Sequence, residues 1–195
     1  QEVISYPLVG LEALRKVNSL DRAGSPLRIS NPLAAGQEYL RPTLRASLLE
    51  TLAANEGHSE GPFRLFEAGR VFHPRDGQLP EEPQMVAGIL AGRRWEPSWL
   101  EGDGRLDFYD AKGVVEGLLD RLGIPATYEP FDDPALQPGR CAQVLAGPPR
   151  RVKLGVVGEV HPAVRQGFDL KTQPVAFFEL GLDALLQVQP PSRRG

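Results

Sequence analysis

Cysteine is nearly absent from this 195-residue sequence. The one copy, Cys141, rules out an internal disulfide and a multi-cysteine zinc site, and it fits a reducing compartment. Histidine is almost as scarce, at three copies, so a histidine-rich metal or catalytic cluster has little to draw on. No apolar run approaches the ~20 residues of a membrane span, and no signal peptide opens the chain. Positive charge is not in excess either. The 22 Lys and Arg against 25 Asp and Glu give a net charge of −3. The basic residues are scattered, with only short pairs such as Arg93–Arg94 and Arg150–Arg151, which argues against a broad nucleic-acid footprint. The sequence therefore implies a cytoplasmic protein with no membrane contact.

What is present is ordinary for a globular domain. Apolar residues make up 41% and charged residues 24%, in a length that buries a sizeable core without staples. The 21 glycines and 19 prolines are dispersed and predict many tight turns. The first residues, QEVISY, read as a strand interior and the last, PPSRRG, as a polar tail. Both ends read as cut from a longer polypeptide. The division expected is one domain over 1–187 and a flexible tail over 188–195.

The stretch from Asn31 to Phe72 organises the rest. Leu44, Leu48, Leu49 and Leu52 share one face of a helix over Thr43–Asn55, with Thr43 as N-cap and Gly57 as a stop. A strand follows, with Phe63, Leu65 and Glu67 pointing one way and Arg64, Phe66 and Ala68 the other. His73–Gly77 is a turn, and Gln84–Leu90 returns as a hairpin partner. Residues 91–106, with both tryptophans, lack periodicity and read as a loop. The strongest helix starts near Phe108. Its Ala111, Val114, Val115, Leu118, Leu119 and Leu122 keep i, i+3, i+4 spacing, Asp107 or Asp110 can cap it, and Gly123 and Pro125 end it. Val115, Leu118 and Leu122 are the expected buried set.

Shorter elements fill the remainder. Strands are expected over 2–6, 27–30, 126–131, 141–145, 153–160 and 175–180, and short helices within 7–17, 161–168 and 182–186. Hairpins outnumber βαβ units, so the fold class is α+β with an antiparallel sheet flanked by helices.

Several segments share wording with a known family. They are Asn31-Pro-Leu, the Leu-Arg-Pro-Thr-Leu-Arg-Ala-Ser-Leu-Leu49 run, and Arg64-Leu-Phe-Glu-Ala-Gly-Arg-Val-Phe72. Further along come Asp107-Phe-Tyr-Asp-Ala-Lys-Gly-Val-Val-Glu116, Pro138-Gly-Arg-Cys-Ala142, Leu154-Gly-Val-Val-Gly-Glu-Val-His-Pro162 and Phe177-Phe-Glu-Leu-Gly-Leu-Asp-Ala-Leu-Leu186. In collinear order over about residues 2–187, they resemble the non-catalytic synthetase-like core of the phenylalanyl-tRNA synthetase beta-subunit family. Cys141 stands where Ser is usual in the family.

The resemblance implies a class II aminoacyl-tRNA synthetase-like core. It also implies a catalytic alpha-subunit partner, tRNA met through the holoenzyme and not mainly through this domain, and ATP and magnesium as holoenzyme cofactors with none in this fragment. Active class II sites carry Phe-Arg-x-Glu with Arg and Glu two residues apart. Here Phe63-Arg64 is followed by Glu67 at a spacing of three, which puts the two charges on opposite sides of a strand. The closing run Phe177–Asp183 has one glycine and no arginine. Both elements that would meet developing phosphate charge are missing. An active enzyme would need a substitute such as Arg70 or Arg140. The other alternative is a stand-alone protein-binding module.

Other candidates read more simply. Glu67 and His73 stand ~20 Å apart on a regular strand at ~3.3 Å per residue, too far for an acid/base pair. Glu159 and His161 lack a third ligand and suit a helix entry better than a metal site. Cys141 reads as a small core residue. Gly155 and Gly158 are followed by no Lys-Ser/Thr helix, so they make no phosphate loop. Lys112 and Glu116 read as a solvated i, i+4 pair. Part of the face formed by Leu44, Leu48 and Leu52 is the expected subunit interface. Left uncovered, it would drive weak two-fold homodimerisation of the fragment.

Overall fold

The structure, a computed structural model, describes residues 1–18, 25–32, 34–59, 61–95, 104–147 and 151–190. Its elements in chain order are β1 (Leu8–Val9), α1 (Leu11–Lys16), β2 (Tyr39–Leu40), α2 (Arg45–Glu56), β3 (Phe63–Arg70), β4 (Gln84–Ala91), α3 (Phe108–Arg121), β5 (Ala126–Pro130), β6 (Leu136–Ala146), β7 (Lys153–Val160), α4 (Pro162–Gly167), β8 (Val175–Gly181) and α5 (Leu182–Val188). Six strands form one sheet in the order β3-β4-β8-β7-β6-β5, each neighbour antiparallel to the next. β1 and β2 pair separately.

Period-2 alternation sorts the sheet's two faces. Phe63, Leu65, Ile89, Val156 and Phe177 pack with Leu44, Leu48, Leu49 and Leu52 of the α2 segment, and α1 joins that layer through Ala13 and Val17. Leu90, Val157, Phe178 and Leu180 look the other way and meet Ala111, Val115 and Leu119 of α3 and Leu185 of α5. The α+β class with an antiparallel sheet flanked by helices is thus the observed architecture.

Asp107, one of the two residues expected to cap the helix, is the N-cap of α3. Its carboxylate accepts from Tyr109 N at 2.9 Å, and Asp110 returns the contact by accepting from Asp107 N at 2.8 Å. The reciprocal pair is a capping box, which satisfies donors the helix itself leaves open. The buried stripe is Ala111, Val115 and Leu119, one turn apart in each step. Leu118 and Leu122 flank it half-buried, and Val114 is exposed. The expected set held Val115 but was rotated towards one side, because a helix lying on a flat sheet buries its central stripe and only grazes the flanking positions. Leu119→Ala is therefore expected to cost about 2–5 kcal/mol, and Leu118→Ala less. Thermal melts of the two variants check the order, and a Leu119 variant as stable as wild type would show that the helix docks by another face.

Three expected strands change. Residues 2–6 contribute a single parallel bridge, Glu2 to Phe66, and 27–30 a single antiparallel bridge, Arg28 to Tyr39. β6 starts at Leu136, earlier than expected, because an irregularity between Leu136 and Cys141 absorbs the turn-forming Pro138-Gly139, with Gly139 at φ +76°. The expected loop over 91–106 begins as the end of β4, and Arg93 then bridges Arg105; the expected loop's centre, 96–103, lies outside the described residues. The Gly147-Pro148-Pro149 turn lies largely outside them as well. α5 runs to Val188, one residue past the expected domain end, and residues 191–195 are not described.

Candidate functional site

A cavity of about 510 Å³ lies at the head of α2. Pro42, Thr43 and Arg45 form one wall, Met85, Val156 and Glu179 the sheet floor, and His73, Asp133 and Lys153 reach it from loops and β7. It lies on the α2 side of the sheet, where an antiparallel synthetase-like sheet could present a ligand to its central strands.

The charges in this cavity are bound to one another. Glu179 projects from the middle of β8, where all its neighbours are apolar. Its Oε1 accepts from Thr43 Oγ1 at 2.7 Å and from Leu44 N at 3.0 Å, and its Oε2 accepts from Arg45 Nε at 3.2 Å. Arg45 Nη1 donates to Asp133 Oδ1 at 2.8 Å, and the same oxygen accepts from Ala135 N at 3.0 Å. The guanidinium also lies 5.4 Å from the centre of the Phe177 ring, within cation–π range.

Side-chain exposures of 12% for Arg45, 9% for Glu179 and 1% for Asp133 show that the three are withdrawn from water together. Burial opposes the Arg45 charge, but Glu179 and Asp133 outweigh it and hold the guanidinium above its ordinary pKa. Thr43 has a double role here, since its hydroxyl donates to Glu179 and accepts from Arg45 N at 3.2 Å. The helix proper begins at Arg45, two residues after the expected cap; Thr43 Oγ1 still accepts from Arg45 N in its first turn, and Glu179 holds the N–H of Leu44.

Arg45 is clamped between two carboxylates, so an incoming phosphate would meet Asp133 and Glu179 as well as the cation. His73 Nε2 lies 3.1 Å from Pro42 O, and the Lys153 ammonium lies 4.0 Å from the Phe131 ring centre. The arrangement neutralises Arg45 and pins α2 against β8.

The residues singled out from sequence go elsewhere. Leu44, Leu48 and Leu52 are 0% exposed and belong to this chain's own core, so the expected interface on that face is corrected. The physical reason is that this face of α2 packs on Phe63, Leu65, Ile89 and Phe177 of the sheet, leaving polar or small positions such as Glu50, Ala54 and Asn55 outward. The self-association expected through those leucines has no exposed apolar surface there to use.

Arg64 and Glu67 do face opposite sides of β3. Arg64 is exposed and donates to Arg94 O, while Glu67 is buried against Arg41. Neither Arg70 nor Arg140 lines the cavity; Arg70 pairs with Glu82 at 3.1 Å and Arg140 with Glu159 at 2.7 Å. Glu159 also accepts from Phe108 N at 3.2 Å, which anchors the head of α3. His161 Nδ1 accepts from Ala163 N at 3.1 Å and caps α4. Among the described residues no group of three or more His, Cys, Asp or Glu is placed to hold a metal. Cys141 is a buried core residue, Gly155 and Gly158 lie inside β7, and Lys112 pairs with Glu116 along α3.

Arg45, Asp133 and Glu179 were not singled out by sequence reasoning. One signal was available: a lone acid in the apolar run Val175–Leu180 has to find a buried partner.

A six-stranded antiparallel sheet with helices on both faces and a cavity over its central strands defines a class II aminoacyl-tRNA synthetase-like core. The pyrrolysyl tRNA synthetase PylSc of Desulfitobacterium hafniense superposes on it with a TM-score of 0.69 at 18% identity, covering 96% of this chain and 62% of that one. The sequence profile of the phenylalanyl tRNA synthetase beta chain CLM domain matches residues 1–182, and the chain belongs to that family. The phenylalanine–tRNA ligase beta subunit of Dehalococcoides mccartyi is 38% identical over 188 residues, 95% of this chain and 22% of that protein. The beta subunit of Geobacter sulfurreducens is 38% identical over 204 residues, covering 98% and 25%. The chain thus spans about a quarter or less of the length of these relatives. No helix among the described residues is long and apolar enough to cross a membrane.

Proposed function

We propose that the chain works as a non-catalytic domain of the beta subunit of a cytoplasmic phenylalanine–tRNA ligase. In this reading it packs against an alpha subunit that attaches phenylalanine to its tRNA, with ATP and magnesium handled by the holoenzyme and not by this domain. The observation that carries the reading is the Arg45 clamp. A synthetase-like cavity whose buried cation is neutralised by Glu179 and Asp133 is built to hold the fold together and is poorly suited to receive a nucleotide.

Two measurements test it. The chain should give no micromolar heat of ATP binding in calorimetry and no ATP–pyrophosphate exchange with phenylalanine. It should also co-purify with a phenylalanyl-tRNA synthetase alpha subunit when the two are expressed together within the full beta subunit. Stoichiometric ATP binding would overturn the non-catalytic role, and failure to retain alpha would overturn the partner.

A further inference from the structure

We draw no further inference here: the strongest candidate, the surface patch of exposed apolar side chains Ile4, Tyr6 and Phe66 along β3 at the sheet's edge and the N-terminal segment bridged to it, carries none because nothing in the structure shows what covers it.

Discussion

Leu48→Glu is expected to leave the chain without a cooperative fold. Leu48 is 0% exposed and packs in the cluster that joins α2 to Phe63, Leu65, Ile89 and Phe177 of the sheet. Removing the leucine alone should cost about 2–5 kcal/mol. An unpaired carboxylate in the same place adds several more after relaxation. The sum is comparable to the whole ~5–15 kcal/mol that holds a domain together. Leu52→Glu should behave in the same way, since Leu52 is equally buried. Ala54→Glu on the exposed side of α2 is the control and should stay within about 0.5 kcal/mol of wild type. Far-ultraviolet circular dichroism with a urea titration separates the outcomes. A folded Leu48→Glu chain that had merely lost a partner would restore these leucines to an interface and contradict their place in the core.

That leucine face shows where sequence pattern stops being informative. Periodicity placed Leu44, Leu48, Leu49 and Leu52 on one stripe, and the stripe exists. It could not say what covers the stripe, because a core face and a subunit face obey the same spacing. The alternation Phe63, Leu65, Glu67 against Arg64, Phe66, Ala68 was legible for a similar reason: a strand with one buried face can take only one register. The cap of α3 was legible only as far as Asp107 or Asp110; the structure assigns it to Asp107, with Asp110 completing the box.

The charge network at the cavity was not legible. Arg45, Asp133 and Glu179 stand 134 and 88 residues apart in the pairs they make, and no local rule links them. Only the cost of burying Glu179 in an apolar strand hinted that a partner existed. The family resemblance came from short collinear runs and stands on the matched profile.

Arg41 and Glu67 make a second buried ion pair, and breaking it from one side should be costly. Their side chains are 5% and 3% exposed, with Nη1 2.7 Å from Oε1. Glu67 Oε2 also accepts from Ser5 Oγ at 2.7 Å, and Arg41 Nε donates to Arg70 O at 3.0 Å. The cluster thereby ties the N-terminal segment and the turn before α2 to β3. Gly69 makes room for it, because a Cβ there would collide with Arg41 Nη2. Arg41→Ala or Glu67→Ala leaves an uncompensated charge in the interior, at an expected cost of about 3–5 kcal/mol each. The paired replacement Arg41→Met/Glu67→Leu buries no charge and keeps much of the volume, so it should recover most of that loss. Recovery should be incomplete, since the Ser5 hydroxyl loses its partner on Glu67. In urea titrations, with slopes of ~1–3 kcal/mol/M, the single variants should lower the midpoint by more than about 1 M and the double variant by much less. Single variants that each cost under about 1 kcal/mol would mean the pair behaves like a solvated surface bridge, and the anchoring role would be wrong.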